Sequence, residues 1–96
     1  MRIELDVELK NADFGPAAGE TVRKGLSVAL LSDRRADGSP VPAEEKLRRY
    51  DLWLAIHSAG PTIDFKSEDI AFLKQCVLVF PPLVAGQLSY LLEGKN

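Results

Sequence analysis

One histidine and one cysteine, His57 and Cys76, are the strongest chemical groups in the chain, and they set a low ceiling on what it can catalyse. A metal site needs several His, Cys or carboxylate ligands at turn or helical spacing, and this sequence lacks the nitrogen and sulfur donors for one. Asp51 and His57 do not share a helical face well, so His57 reads as an edge-of-core histidine with an ordinary hydrogen bond. Cys76 falls on an apolar stripe, where a thiol behaves as a small hydrophobe. No G-x-S-x-G turn, phosphate-cradling glycine loop or H-E-x-x-H pattern occurs. On this reading no catalytic residue, metal or cofactor is assigned, and the chain is expected not to be an enzyme.

Two constellations could act through charge. Glu4, Asp6 and Glu8 lie along one side of "RIELDVELK"; such a row can attract cations, but its ordinary role is the solvated side of a strand. Arg34, Arg35, Arg48 and Arg49, with Lys46 nearby, are the candidate nucleic-acid-binding residues. Asp33, Asp37, Glu44, Glu45 and Asp51 interleave with them, whereas phosphate-driven affinity needs several uncompensated cations. A helix-turn-helix reading of segments 43–59 and 67–80 founders on "SEDIAF", which is acidic and then apolar where a recognition helix meets the major groove. Nucleic-acid binding is therefore the weaker alternative.

The elements that must position these residues follow from length and periodicity. With 96 residues, 46% hydrophobic content and a net charge of -2, the chain is expected to form one domain, 1–96. Its parts are a β element over about 1–22 and a helical part over about 22–94. A single cysteine excludes an intramolecular disulfide and suits a reducing cytoplasm. Acidic residues in Met1–Asp6 break any signal-peptide core, and the uncharged stretch from Gln75 to Tyr90 is interrupted by Pro81-Pro82, so no membrane span is expected.

Strict alternation over residues 2–10 predicts a half-buried strand with Ile3, Leu5, Val7 and Leu9 inward. Its partner is an internal hairpin near Glu20–Val22, the "PTIDF" stretch at 61–65, or a second copy of the chain, with the hairpin favoured after a "NADFGPAAG" loop. From Thr21, a capping residue, Val22, Leu26, Ala29 and Leu30 mark a first helix, in which Gly25 costs roughly 1 kcal/mol relative to alanine. "SDRRADGSPV" is a polar loop and the expected mobile region. Pro42, Glu44 and Glu45 open a second helix that Gly60-Pro61 stops. Leu47, Tyr50, Trp53, Leu54 and His57 line one face of it, with Leu52 and Ile56 nearly opposite. Two apolar faces imply two neighbours, or one neighbour and a partner protein; Leu52, Ile56 and Trp53 are the candidate partner-binding residues.

Ser67 is expected to cap a third helix over 67–80, which is apolar nearly all round and so reads as central. Pro81 and Pro82 then form a corner: each proline disfavours helix at the preceding residue, while Pro82 can start a fourth helix without a lost hydrogen bond. Leu83, Val84, Leu88, Leu91 and Leu92 would fold that helix back on the third, Gly86 permitting close approach and Gly94 ending it. The fold class predicted is α+β, a small N-terminal strand element packed against about four helices.

The segments "EEKLRRYDL" at 44–52, "IDF" leading into "SEDIAFLK" at 63–74, and "PPLVAGQ" at 81–87, together with the opening "RIELDVELK", resemble a group of small uncharacterised proteins of tailed bacteriophages and bacterial prophages. The resemblance spans most of the chain; "SDRRADGSP" departs as a variable loop, and Trp53 and Cys76 replace more generic helix residues. Its motifs are structural punctuation and carry no catalytic position. What it implies is a setting: a phage or prophage protein in the bacterial host cytoplasm, acting on another protein, phage structural or host, or on itself, as an assembly factor or small modulator.

Overall fold

The computed structural model describes residues 1–13 and 15–94, Pro16 and Ala18 by their backbone alone. The alternating N-terminal run forms two strands where one was expected. Arg2–Glu4 (β1) pairs antiparallel with Thr62–Asp64 (β4), Ile3 opposite Ile63. Glu8–Lys10 (β2) pairs antiparallel with Pro16–Thr21 (β3), with a register shift between Glu8 and Lys10. Both internal partners open to the sequence are used, one by each half of the run. Strand begins at Pro16, inside the stretch expected to be loop; Phe14 of that loop, and residues 95 and 96 of the expected domain span, lie outside the described residues.

The break between β1 and β2 has a cause in the helix that follows. Val22–Leu30 is α1, and a helix start leaves backbone donors without intrahelical acceptors. Leu5 O accepts from Arg23 N at 2.8 Å and Val7 O accepts from Val22 N at 3.0 Å. The Thr21 hydroxyl takes the Lys24 N–H at 3.2 Å, as its capping role requires. The chain bends to offer these carbonyls, so Ile3, Leu5 and Leu9 stay buried while Val7, expected inside, turns out with 42% of its surface exposed.

Ala43–Ser58 is α2, Ser67–Cys76 is α3 running into a 3₁₀ turn at Val77–Val79, and Pro82–Leu92 is α4. Glu44 and Glu45 occupy the first turn of α2 behind Pro42, and Ala59 ends it in extended geometry. The α3 cap position is Lys66 and not Ser67, which is the first helical residue; no side chain among the described residues caps this end, and Glu68 and Asp69 supply its favourable charge. Phe80 and Pro81 are extended, with ψ of 160° and 161°, and Pro82 opens α4. Gly94, at φ +79°, follows its last turn, where a Cβ is disfavoured. The architecture of the described residues is thus α+β: two small antiparallel sheets and four helices.

One cluster of buried side chains joins these elements, with Leu26, Leu30, Ile56, Leu73 and Leu88 fully enclosed. α1 packs against each of the other helices, and α3 shares the interior with it, touching both α1 and α4. Leu78 and Val79 on the 3₁₀ turn are 50% and 37% exposed, because the tighter turn carries them off the buried stripe. The close approach expected at Gly86 is made elsewhere: a Cβ at Gly86 would meet nothing within 4 Å, whereas one at Gly25 would lie 3.0 Å from Leu88 Cδ1. The glycine that weakens α1 locally is the one that lets α4 close on it.

Two polar devices complete the frame. Gln87 on α4 accepts the Lys10 N–H at 2.7 Å and donates to Lys10 O at 2.9 Å, so a side-chain amide closes the β2 edge where a strand would otherwise pair. In the polar loop, Arg34 and Pro40 form an antiparallel bridge, and Arg35 N donates to Ser39 O at 2.8 Å. Val41, 4% exposed, anchors its end. Among the described residues no helix is long and apolar enough to cross a membrane.

Candidate interaction surface

Three of the four arginines proposed for nucleic acid are taken into internal pairs. Arg49 is 5% exposed; its Nε donates to Glu45 at 3.2 Å and Nη1 donates to Ala29 O, near the end of α1, at 3.0 Å. Arg35 Nη2 donates to the same Glu45 carboxylate at 2.7 Å. Arg48 lies 3.6 Å from Asp69, and its guanidinium sits 4.2 Å from the Phe72 ring centroid. Arg34 alone of the four forms no ion pair among the described residues. That leaves one uncompensated cation of the four among the described residues, where phosphate-driven binding needs several.

Arg49 is half of a reciprocal arrangement. From the start of α1, Arg23 donates to Ile56 O at 2.6 Å, Ala59 O at 2.9 Å and Gly60 O at 2.6 Å, and pairs with Asp6 at 3.1 Å. Each of two antiparallel helices thus places a guanidinium at the other's C-terminal carbonyls, where the macrodipole favours positive charge. Sequence reasoning missed Arg23 because its carbonyl partners lie 33 to 37 residues further on.

A cavity of about 380 Å³ opens beside this network, lined by Arg35, Asp37, Glu45, Arg49, Phe72 and Cys76 among others. Its two cations face two carboxylates, so it has no net preference for an ionic ligand. Burial pushes the Cys76 thiol up, which keeps it protonated and weakly nucleophilic. His57 is exposed, with its ring stacked 5.1 Å from that of Trp53, and among the described residues it forms no ion pair with an acid. Glu4 and Glu8 face solvent and Asp6 belongs to Arg23; among the described residues no group of three or more His, Cys, Asp or Glu could hold a metal ion.

The hydrogen bond from Arg35 holds the Glu45 carboxyl below its ordinary value of 4.5, with Arg49 assisting. A depressed carboxyl pKa stabilises the fold above the unfolded value, and that contribution disappears as pH falls through the lower folded value. Thermal melts of wild type and Glu45→Gln should therefore differ at neutral pH and converge as pH drops below 4.5. A gap that persists unchanged into strong acid would contradict this role for Glu45.

On α2 the assignment of partner-binding residues is corrected. Leu52 and Ile56, 9% and 0% exposed, belong to the core facing α1, and Trp53 is half-buried at its edge. The opposite stripe faces solvent: Leu47, Tyr50 and Leu54 are 70%, 52% and 43% exposed, and Ala43 and His57 continue it at both ends. The spacing of 43, 47, 50, 54 and 57 alternates four and three, the a/d seam of a coiled coil. Trp53 stiffens this face, stacking on His57 and meeting the Tyr50 ring at 5.8 Å and 37°. The signal was in the sequence; what periodicity could not decide was which of two apolar faces the fold would cover. Searches against protein-family models, curated proteins and solved structures find no match for the chain.

Proposed function

We propose that the protein is a non-enzymatic interaction protein, an assembly factor or small modulator of phage or prophage origin acting in the bacterial cytoplasm. The observation that carries this reading is the exposed α2 seam, a regular stripe along which Leu47, Tyr50 and Leu54 leave 70%, 52% and 43% of their surface uncovered. A domain of this size leaves isolated apolar residues outside without consequence, but a contiguous a/d stripe stiffened by aromatic contacts is the mark of a surface meant to be covered. The compensated charges of the cavity and the protonated, buried Cys76 support a role in binding over one in bond-making. The phage setting rests on the resemblance of the helix starts and the Pro-Pro junction.

The test is light scattering of the pure protein together with retention of host-lysate proteins on immobilised protein, using Leu47→Asp/Leu54→Asp as the control. Both residues are exposed, so the variant should keep the wild-type melting curve. Association that the double substitution removes supports the reading. A wild-type protein that stays monomeric and retains nothing the variant does not would overturn it.

A further inference from the structure

We infer that the α2 seam is covered by a second copy of this chain, its α2 lying parallel to the first about a two-fold axis. The inference rests on the interaction reading above and adds the occupant and its orientation. In heptad terms Leu47 and Leu54 are a positions, and Ala43, Tyr50 and His57 are d positions. Lys46 is then a g residue and Asp51 the following e residue. Both are exposed, and neither side chain forms an ion pair among the described residues.

Charge decides the partner and the direction. In a parallel pair, g of one helix meets the e position five residues on in its mate, so Lys46 faces Asp51 of the second copy, and symmetry forms the contact twice. In an antiparallel pair, e edges meet e edges, setting Glu44 and Asp51 against the same acids, and g edges meet g edges, leaving Lys46 without an acid. Self-complementarity of one short surface under a two-fold axis is what an isologous interface requires. The stacked Trp53 and His57 rings and the tilted Tyr50 hold part of the face in place beforehand, which lowers the ordering cost of association.

The test is sedimentation equilibrium of the full chain over a wide concentration range, with charge variants and a cysteine probe of orientation. Wild type should dimerise; Lys46→Asp should weaken the dimer by about tenfold or more, by placing like charges opposite one another. The double variant Lys46→Asp/Asp51→Lys should recover to within about threefold of wild type, since the pairs are re-formed with exchanged signs. Ala43→Cys should form a disulfide-linked dimer under mild oxidation, because parallel d positions adjoin; the native Cys76 is buried. A dimer that the charge swap fails to restore, or one in which Ala43→Cys remains uncrosslinked, overturns the parallel register. A monomer at every concentration that still retains a lysate protein through Leu54 overturns the second copy while leaving the interaction reading standing. A monomer that retains nothing sinks both.

Discussion

Arg49→Ala is expected to lower the unfolding free energy by about 2–4 kcal/mol, read from urea denaturation with the midpoint shifted and the slope unchanged. Arg49 is buried, and its removal leaves Ala29 O without its charged donor and Glu45 without one of two guanidinium partners. The upper end of the range for a broken buried pair is not reached, because Arg35 still holds the carboxylate. Arg49→Lys should recover only part of the loss, since an ammonium lacks the planar fork that reaches Glu45 Oε2 and Ala29 O together. Arg23→Ala should cost less, about 1–2 kcal/mol, because its bond to Gly60 O is exposed and those to Ile56 O and Ala59 O are only partly buried. Equal losses at the two positions would show that the helix-end contacts, and not burial, set the energy.

Leu88→Ala is the second large loss, about 2–5 kcal/mol for a fully enclosed leucine whose neighbours cannot all collapse into the space. Its partner across the helix crossing is Gly25. Gly25→Ala gains roughly 1 kcal/mol of helix propensity but sets a methyl 3.0 Å from Leu88 Cδ1. Leu88 is fully enclosed and must give by a few tenths of an ångström to admit it, so a net loss of about 1 kcal/mol is expected. Combined, the two substitutions should fall short of additivity by about 1 kcal/mol, since the added methyl enters the space the leucine vacates. Gly86→Ala is the control, a gain of up to about 1 kcal/mol, because among the described residues no side chain opposes it. A strictly additive cycle would mean that α1 and α4 do not meet at this pair.

Much of this frame was legible from local signals. Thr21 caps α1, Pro42 precedes α2, and Pro81-Pro82 turns the chain into α4, because each acts on backbone within a few residues of itself. Features set by distant partners were not legible. The run at 2–10 alternates without interruption, yet it breaks where Leu5 and Val7 carbonyls serve the start of α1. Gly25 registers locally as a defect and acquires its purpose only from Leu88. The arginine doublets likewise look like a patch until Glu45 and Asp69 are placed against them. The seam on α2 is visible as a pattern, but two apolar faces on one helix are equivalent until the rest of the chain selects one, and the fold covers the face of Leu52 and Ile56.

The pairing of β1 with β4 has a consequence for how the chain is made. Met1 and Phe65 exchange both backbone hydrogen bonds across 64 residues. At about 5–20 residues per second, several seconds of synthesis separate the two ends of that ladder. Ile3 and the β1 backbone therefore leave the ribosome early and wait, unpaired, for a segment that does not yet exist. The charged residues that alternate through the opening stretch keep that waiting ribbon from annealing to its neighbours on a polysome.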